Sequence, residues 1–234
     1  MYFTDRGLEE LADRRGEEQV TLAWLADQMQ AFVDQFPDFE VPVERLATWL
    51  ARGGPAAATT WAMETWDAIR ARRNVRQYTD QPIPRADLER VLEAGRRAPS
   101  ASNWQPWNFV VLTERAALLE LAKAWPRGGT HIARSAATIA IVAAEPEDQR
   151  KGELLQYDVG QTTANMMIAA ADLGIGSGHS AVADQEQAQR VLGFPPGHFA
   201  AYMIGFGYPA DRPLQPIAHP ERRPFDEVVH WDSW

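Results

Sequence analysis

The chain has 234 residues, of which 45% are hydrophobic and 24% charged, and it carries a formal net charge of −9. That length suits one sizeable α/β domain with an attachment, and the acidic balance argues against general nucleic-acid binding. There is no cysteine, which excludes disulfides, thiolate metal sites and cysteine nucleophiles.

The most apolar run, from Ala136 to Ala144, is far short of a membrane span. No basic, apolar leader opens the sequence, so a cytoplasmic location is expected. Residues 1–55 hold 11 acidic residues against 5 arginines, two thirds of the net charge. This asymmetry divides the chain into a helical appendage over 1–55 and a main domain over 56–234.

In the appendage, Leu22, Trp24, Leu25, Met29, Phe32, Val33 and Phe36 recur at helical spacing. Glu17 and Glu18 suit a helix start, Pro37 ends the run, and Pro42 opens a second short helix. A Gly-Gly-Pro-Ala-Ala-Ala linker follows. The aromatic stripe has no chemistry of its own and marks 1–55 as a candidate surface for a protein partner.

From Trp61 to Arg72 the pattern predicts a helix, then an extended Val75 to Tyr78. Pro84 starts a helix over Leu88, Val91 and Leu92. Pro99 to Pro106 reads as a polar loop, Trp107 to Thr113 as a strand and Glu114 to Trp125 as a helix. Ala136 to Ala144 reads as a buried strand and Leu154 to Leu173 as a long helix. Gly174 to Gly178 is expected to be a glycine-spaced turn, Phe199 to Tyr208 a strand, and Pro209 to Pro224 an irregular tail. Helices and strands mix without βαβ repetition, which predicts an α+β fold.

Four clusters could carry chemistry. Arg72, Arg73 and Arg76, with Asn74 between them, can converge on a phosphate; the plainer reading is a solvated charge run at a helix end. The Pro99–Trp107 segment packs hydroxyls, amides and indoles between prolines, suited either to a flat heterocycle or to an ordinary Asx turn. Gly174 to Ser180 follows a helix rather than a strand and lacks dinucleotide spacing. Gly178-His179-Ser180-Ala181-Val182 approaches a nucleophile elbow without its last glycine. Arg212 and the pair Arg222-Arg223 lie in a stiff proline-rich tail. The five histidines show no metal-ligand spacing, and no metal is expected.

Taken in order, these segments resemble the FMN-dependent nitroreductase family. Arg72 to Tyr78 is similar to its Arg-Arg-Ser-x-Arg-x-Phe opening, and Pro99 to Phe109 to its Pro-Ser-x-x-Asn-x-Gln-Pro-Trp-x-Phe segment. Asp172 to Gly176 resembles its Asp/Ala-Leu-Gly-Leu-Gly turn, Ile204 to Pro209 its last strand, and Arg222 to His230 its closing motif. Two departures stand out: Asn74 replaces the usual serine, and the Ser-Gly-His-Ser segment after Gly176 differs from the common forms.

The resemblance implies a nitroreductase-like α+β fold, with a central mixed or antiparallel sheet flanked by helices, in an intertwined homodimer. It implies FMN as cofactor and ping-pong hydride transfer from NAD(P)H to a small-molecule acceptor such as a nitroaromatic or quinone. Arg72, Arg222 and Arg223 would hold the phosphate, and Arg73 and Asn74 the phosphate or ribityl chain. Arg76 would support the reduced flavin at its pyrimidine edge. Pro99, Ser100, Ala101 and Asn103 would come from the other subunit, with Gly178, His179 and Ser180 near the reactive centre. The tail after Phe225 would add a strand to the partner's sheet. Reductive dehalogenation, flavin cleavage and a non-catalytic flavin-holding role are the alternatives.

Overall fold

A computed structural model describes residues 21–37 and 65–234, together with 13, 14, 43, 46, 47 and 63. The chain divides into two compact units, 1–59 and 60–234. In the first unit, helix α1 spans Leu22–Gln35, with the Thr21 hydroxyl accepting a hydrogen bond from the Trp24 N–H at 3.1 Å as its N-cap. Val43, Leu46 and Ala47 are helical, in keeping with a second helix after Pro42. The Glu17-Glu18 start and the Gly-Pro-Ala linker lie outside the described residues.

The second unit runs α2 (Thr65–Ala71), α3 (Arg85–Arg96), a 3-10 turn (Ala101–Asn103), β1 (Asn108–Leu112), α4 (Arg115–Ala122) and α5 (Thr130–Arg134). It continues with β2 (Ala137–Ala144), α6 (Gln149–Asp172), β3 (Gly176–Ser180), α7 (Gln185–Leu192), β4 (His198–Gly207) and the single turn α8 (Phe225–Val228). The four strands form one antiparallel sheet in the order β1-β2-β4-β3, so the fold is α+β.

The apolar run of β2 is explained by burial on both faces. Ile139, Ile141 and Ala143 pack with Leu155, Val159 and Met166 of α6 and with Leu88 and Val91 of α3. The alternate residues Ala140 and Val142 pack with Leu118 and Leu121 of α4, Ile132 of α5 and Ala188 of α7. The result is three layers, with α3 and α6 on one side of the sheet and α4, α5 and α7 on the other. Among the described residues no helix is long and apolar enough to cross a membrane.

The long helix α6 starts earlier than its apolar pattern predicts, because Asp148 caps it by accepting from the Lys151 N–H at 2.8 Å. It ends in a Schellman arrangement: Ile175 N–H donates to the Ala170 carbonyl at 2.8 Å and Gly174 N–H to that of Ala171 at 3.0 Å, with Gly174 at φ +70°. The expected turn over Gly174 to Gly178 therefore stops at Gly174. Gly176 to Ser180 is instead a strand. Its glycines recur with period two on one face because another chain segment lies flush there. A Cβ at Gly176 would come 2.7 Å from Val75 Cγ2, and one at Gly178 would come 2.6 Å from the Val75 carbonyl.

That other segment is Asn74 to Tyr78, which runs along the β3 edge. Val75 N–H donates to the Ser177 carbonyl at 2.8 Å, and Asn74 bridges Ser177 in parallel. Tyr78 anchors its far end, its hydroxyl 2.7 Å from the Val75 carbonyl and 3.1 Å from that of Gly205. Burial pushes this phenol well above its ordinary pKa. In the tail, Phe225 to Val228 forms a helical turn in this chain where a partner-bound strand is expected. Pro224 fixes the entry and Asp226 and Glu227 suit a helix N-terminus; so short a turn is marginal alone.

Candidate active site

Extended backbone sends successive side chains to opposite sides, and this sorts the arginine cluster. Arg72 and Asn74 line a cavity of about 470 Å³, and Arg76 lines a neighbouring one of about 640 Å³. Val75 points into the core, 1% exposed. Arg73 turns away as well, donating to Asp211 at 2.7 Å and to the Arg212 carbonyl at 2.8 Å. Its guanidinium holds the Asp211 carboxyl at a pKa of about 2. Arg73 lines neither cavity of this chain, unlike Arg72.

His179 and Tyr202 line both cavities, so the two meet as one trough along the β3 edge. The rings of His179 and Tyr202 stand edge to face with centroids 6.5 Å apart. Gly178 and Ser180 are buried on the opposite face of the strand from exposed His179. The smaller cavity has an apolar wall of Ile69, Ala164, Met167 and Ile168. Thr163 also lines it, and its buried hydroxyl oxygen has no hydrogen-bond partner among the described residues. An unpartnered buried hydroxyl is costly unless a ligand supplies the bond.

The larger cavity is lined by Arg76, Gln77, Trp125, Arg127, Thr130, His131 and Arg134 among others. Trp125, Arg127, His131, Arg134 and Tyr202 carry no motif, and nothing in the sequence singles them out. His131 is 3% exposed. Its Nδ1 lies 2.9 Å from the Gly128 carbonyl and its Nε2 lies 3.0 Å from that of Gly178. Burial lowers its pKa, the charges of Arg76 and His179 add to that, and the two carbonyls oppose it without reversing the direction. Ser180 Oγ is 3.5 Å from His131 Nε2. That pair lacks a carboxylate behind the imidazole and sits inside a strand rather than on an elbow, so it lacks the orienting third group of a hydrolase triad.

Pro99, Ser100, Ala101 and Asn103 line neither cavity of their own chain. They form a tight, strained loop in which Ser102, Asn103 and Gln105 have φ of 50°, 55° and 52°. Three left-handed non-glycine residues so close together persist only where surroundings over-determine them. The Ser100 hydroxyl accepts from Gln105 N–H at 2.9 Å and the Asp158 carboxylate accepts from Ala101 N–H. Arg222 and Arg223 are exposed and line neither cavity; Arg223 pairs with Glu227 at 3.4 Å.

The trough suits a long ligand with a phosphate at one end and a flat ring. The cation of Arg72 and the amide of Asn74 stand at the smaller cavity with the orphan hydroxyl of Thr163, beside a wall that a planar ring can cover. Arg72 has no ion-pair partner among the described residues. These groups match FMN in charge, donors and apolar surface. A layered α+β sheet with such a trough at its edge has room for a cofactor of this kind.

Comparison with known proteins supplies the family. Residues 69–208 match the model of the nitroreductase family. A "Putative NADH dehydrogenase/NAD(P)H nitroreductase" of Archaeoglobus fulgidus is 30% identical over 171 residues, covering 71% of this chain and 96% of the relative. Among solved structures, nitroreductase A of Vibrio parahaemolyticus superposes with a TM-score of 0.64 at 23% identity, over 74% of this chain and 78% of that one. An FMN-dependent nitroreductase of Clostridium difficile R20291 superposes with a TM-score of 0.62 at 20% identity, over 71% of this chain and 98% of that one. The chain belongs to the nitroreductase family and is an NAD(P)H-dependent oxidoreductase of that class. Residues 1–56 match a separate family of unknown function, DUF6104.

Proposed function

We propose that the protein binds FMN in the trough and carries hydride from NAD(P)H to a small oxidised acceptor, such as a nitroaromatic or a quinone, by a ping-pong cycle. The observation that carries this reading is the conjunction, in one apolar-walled cavity, of Arg72 and the Thr163 hydroxyl, both without a partner among the described residues, with Asn74. FMN, when bound, supplies the acceptance and release of the hydride. Arg72 neutralises the phosphate, and Asn74 and Thr163 bond the polar chain. Arg76 holds a fixed positive charge where negative charge gathers on reduction. His179 and Ser180, which both line the larger cavity, form the wall beside the ring, with the Gly178 backbone behind them. Arg73 is committed to Asp211 and serves by holding the tail rather than the phosphate.

The working unit in this reading is a homodimer with shared sites. Ile69 of α2 lines the smaller cavity and is 42% exposed, and Trp66 of α2 and Tyr157 of α6 are 67% and 70% exposed, apolar surface that suits a partner. Phe225, Trp231 and Trp234 are exposed on the tail, and β1 is an edge strand with Val111 exposed. A partner's tail laid along β1 would cover that edge. The strained Pro99–Asn103 loop, which lines neither cavity of its own chain, would then reach the partner's trough, and Arg222 and Arg223 would be carried to a phosphate. The test is direct: purified protein should be yellow, release about one FMN per chain, and oxidise NAD(P)H only when an acceptor is added. A folded protein that stays colourless after FMN reconstitution overturns the reading.

A further inference from the structure

The larger cavity has a charge pattern that the cofactor does not use up. Arg76, Arg127 and Arg134 line it together with two histidines, and no carboxylate does. None of these three arginines has an ion-pair partner among the described residues, whereas Arg73, Arg85, Arg90, Arg96, Arg97, Arg190 and Arg223 all do. Eight of the sixteen arginines from Arg70 to Arg223 have no such partner, and three of those eight line this one cleft, which no carboxylate lines. Of the three, Arg76 is the one whose charge acts on His131, adding to burial in lowering its pKa against the two backbone carbonyls. The reading above assigns Arg76 to the cofactor. Arg127, before α5, and Arg134, in its last turn, remain, with the half-buried indole of Trp125 beside them.

We propose that Arg127 and Arg134 form an anion-selective subsite at the basic end of the trough, which selects substrates whose planar ring carries or is tethered to an anionic group. The ring lies against Trp125 and Tyr202, and the guanidiniums take the anion. Arginine is suited to this because its planar fork matches the two oxygens of a carboxylate or a phosphate. Two molecules bring such a group: an acceptor that is an aromatic carboxylic acid, and a donor nucleotide with a 2′-phosphate. This inference rests on the oxidoreductase reading for the identity of the ligands, but not for the binding itself.

The experiment is therefore a binding measurement on the full-length protein as purified, without turnover. Benzoate and benzamide are titrated by calorimetry, as are adenosine 2′,5′-bisphosphate and AMP, into the parent, an R127Q/R134Q variant and an R150Q control whose change lies on exposed α6 outside the cleft. The expected result is that at least one anion binds about tenfold or more tightly than its less charged partner, as charge-assisted bonds to arginine allow. R127Q/R134Q loses that preference and R150Q keeps it. Benzoate selectivity assigns the subsite to the acceptor and bisphosphate selectivity to the donor. Equal binding of both pairs, or a preference that survives in R127Q/R134Q, overturns the proposal. The flavin content of each sample, read from its visible spectrum, reports on the cofactor reading independently.

Discussion

Asp158 on α6 holds the backbone N–H of Ala101 between its two carboxylate oxygens, at 3.2 and 3.1 Å. Asp158 is 1% exposed, and Gln161 at 3.5 Å is its other hydrogen-bond partner. A buried carboxylate so placed ties the strained Pro99–Asn103 loop to the central helix. Asp158→Asn removes the charge and turns an amide donor toward a backbone donor. The expected loss is about 1–3 kcal/mol, read as a lower Tm, with FMN affinity falling as the loop relaxes. An unchanged Tm would show that the loop is fixed by its own hydrogen bonds.

The alternation along the Arg72–Arg76 segment makes a paired prediction. Arg72→Ala should weaken FMN binding by about tenfold or more, the size expected for one charge-assisted bond to phosphate. Arg73→Ala should leave FMN affinity near the parent's, because its guanidinium is bound to Asp211 and the Arg212 carbonyl. Flavin titration of the apoproteins checks both. Equal losses in the two variants would show that both arginines reach the cofactor.

Arg76→Gln should slow flavin reduction by NAD(P)H more than it weakens flavin binding, since the cation's contribution grows as negative charge develops. Stopped-flow reduction at full FMN occupancy measures this. Unchanged reduction kinetics would remove Arg76 from that role.

His131 predicts a pH dependence of stability. Burial lowers its folded pKa below the ordinary 6.5, so the unfolded chain takes up the proton first as pH falls. Its contribution is fully present above about pH 6.5 and is lost as the pH drops from there toward the lowered folded value. Below that value the loss levels off. Thermal unfolding of the parent and His131→Gln through this window should show a shallower acid-side decline in the variant. Parallel curves would place the pH sensitivity elsewhere.

Deleting residues 225–234 removes the exposed Phe225, Val228, Trp231 and Trp234. If the tail covers a partner's sheet edge, dimerisation and FMN retention should fall together, as read by sedimentation and by absorbance. A truncated chain that is monomeric yet binds FMN normally would defeat the shared-site architecture.

Periodicity and end signals alone determined most elements: the run of β2, the α6 stripe and Pro84 at the start of α3 are local facts. The ordered motifs likewise determined the family, since Arg72, Arg73 and Arg76 and the Pro99 to Phe109 segment keep its order and spacing. Three short helices escaped: α7 carries a legible Asp184 cap and a Gly193 stop, α5 has five residues and no capping side chain, and α8 is a single turn where a strand is expected. What only the tertiary structure decided involves partners distant in sequence. Gly176 and Gly178 are strand residues because Val75 lies against them, not because they bend the chain. Arg73 is distinguished from Arg72 by Asp211, 138 residues away. His131, Arg127 and Arg134 reach the trough because α5 packs under the sheet through Ile132, which is fully buried among α4 and β2 residues. A sequence states which groups are available; burial and opposing neighbours decide which of them face the ligand.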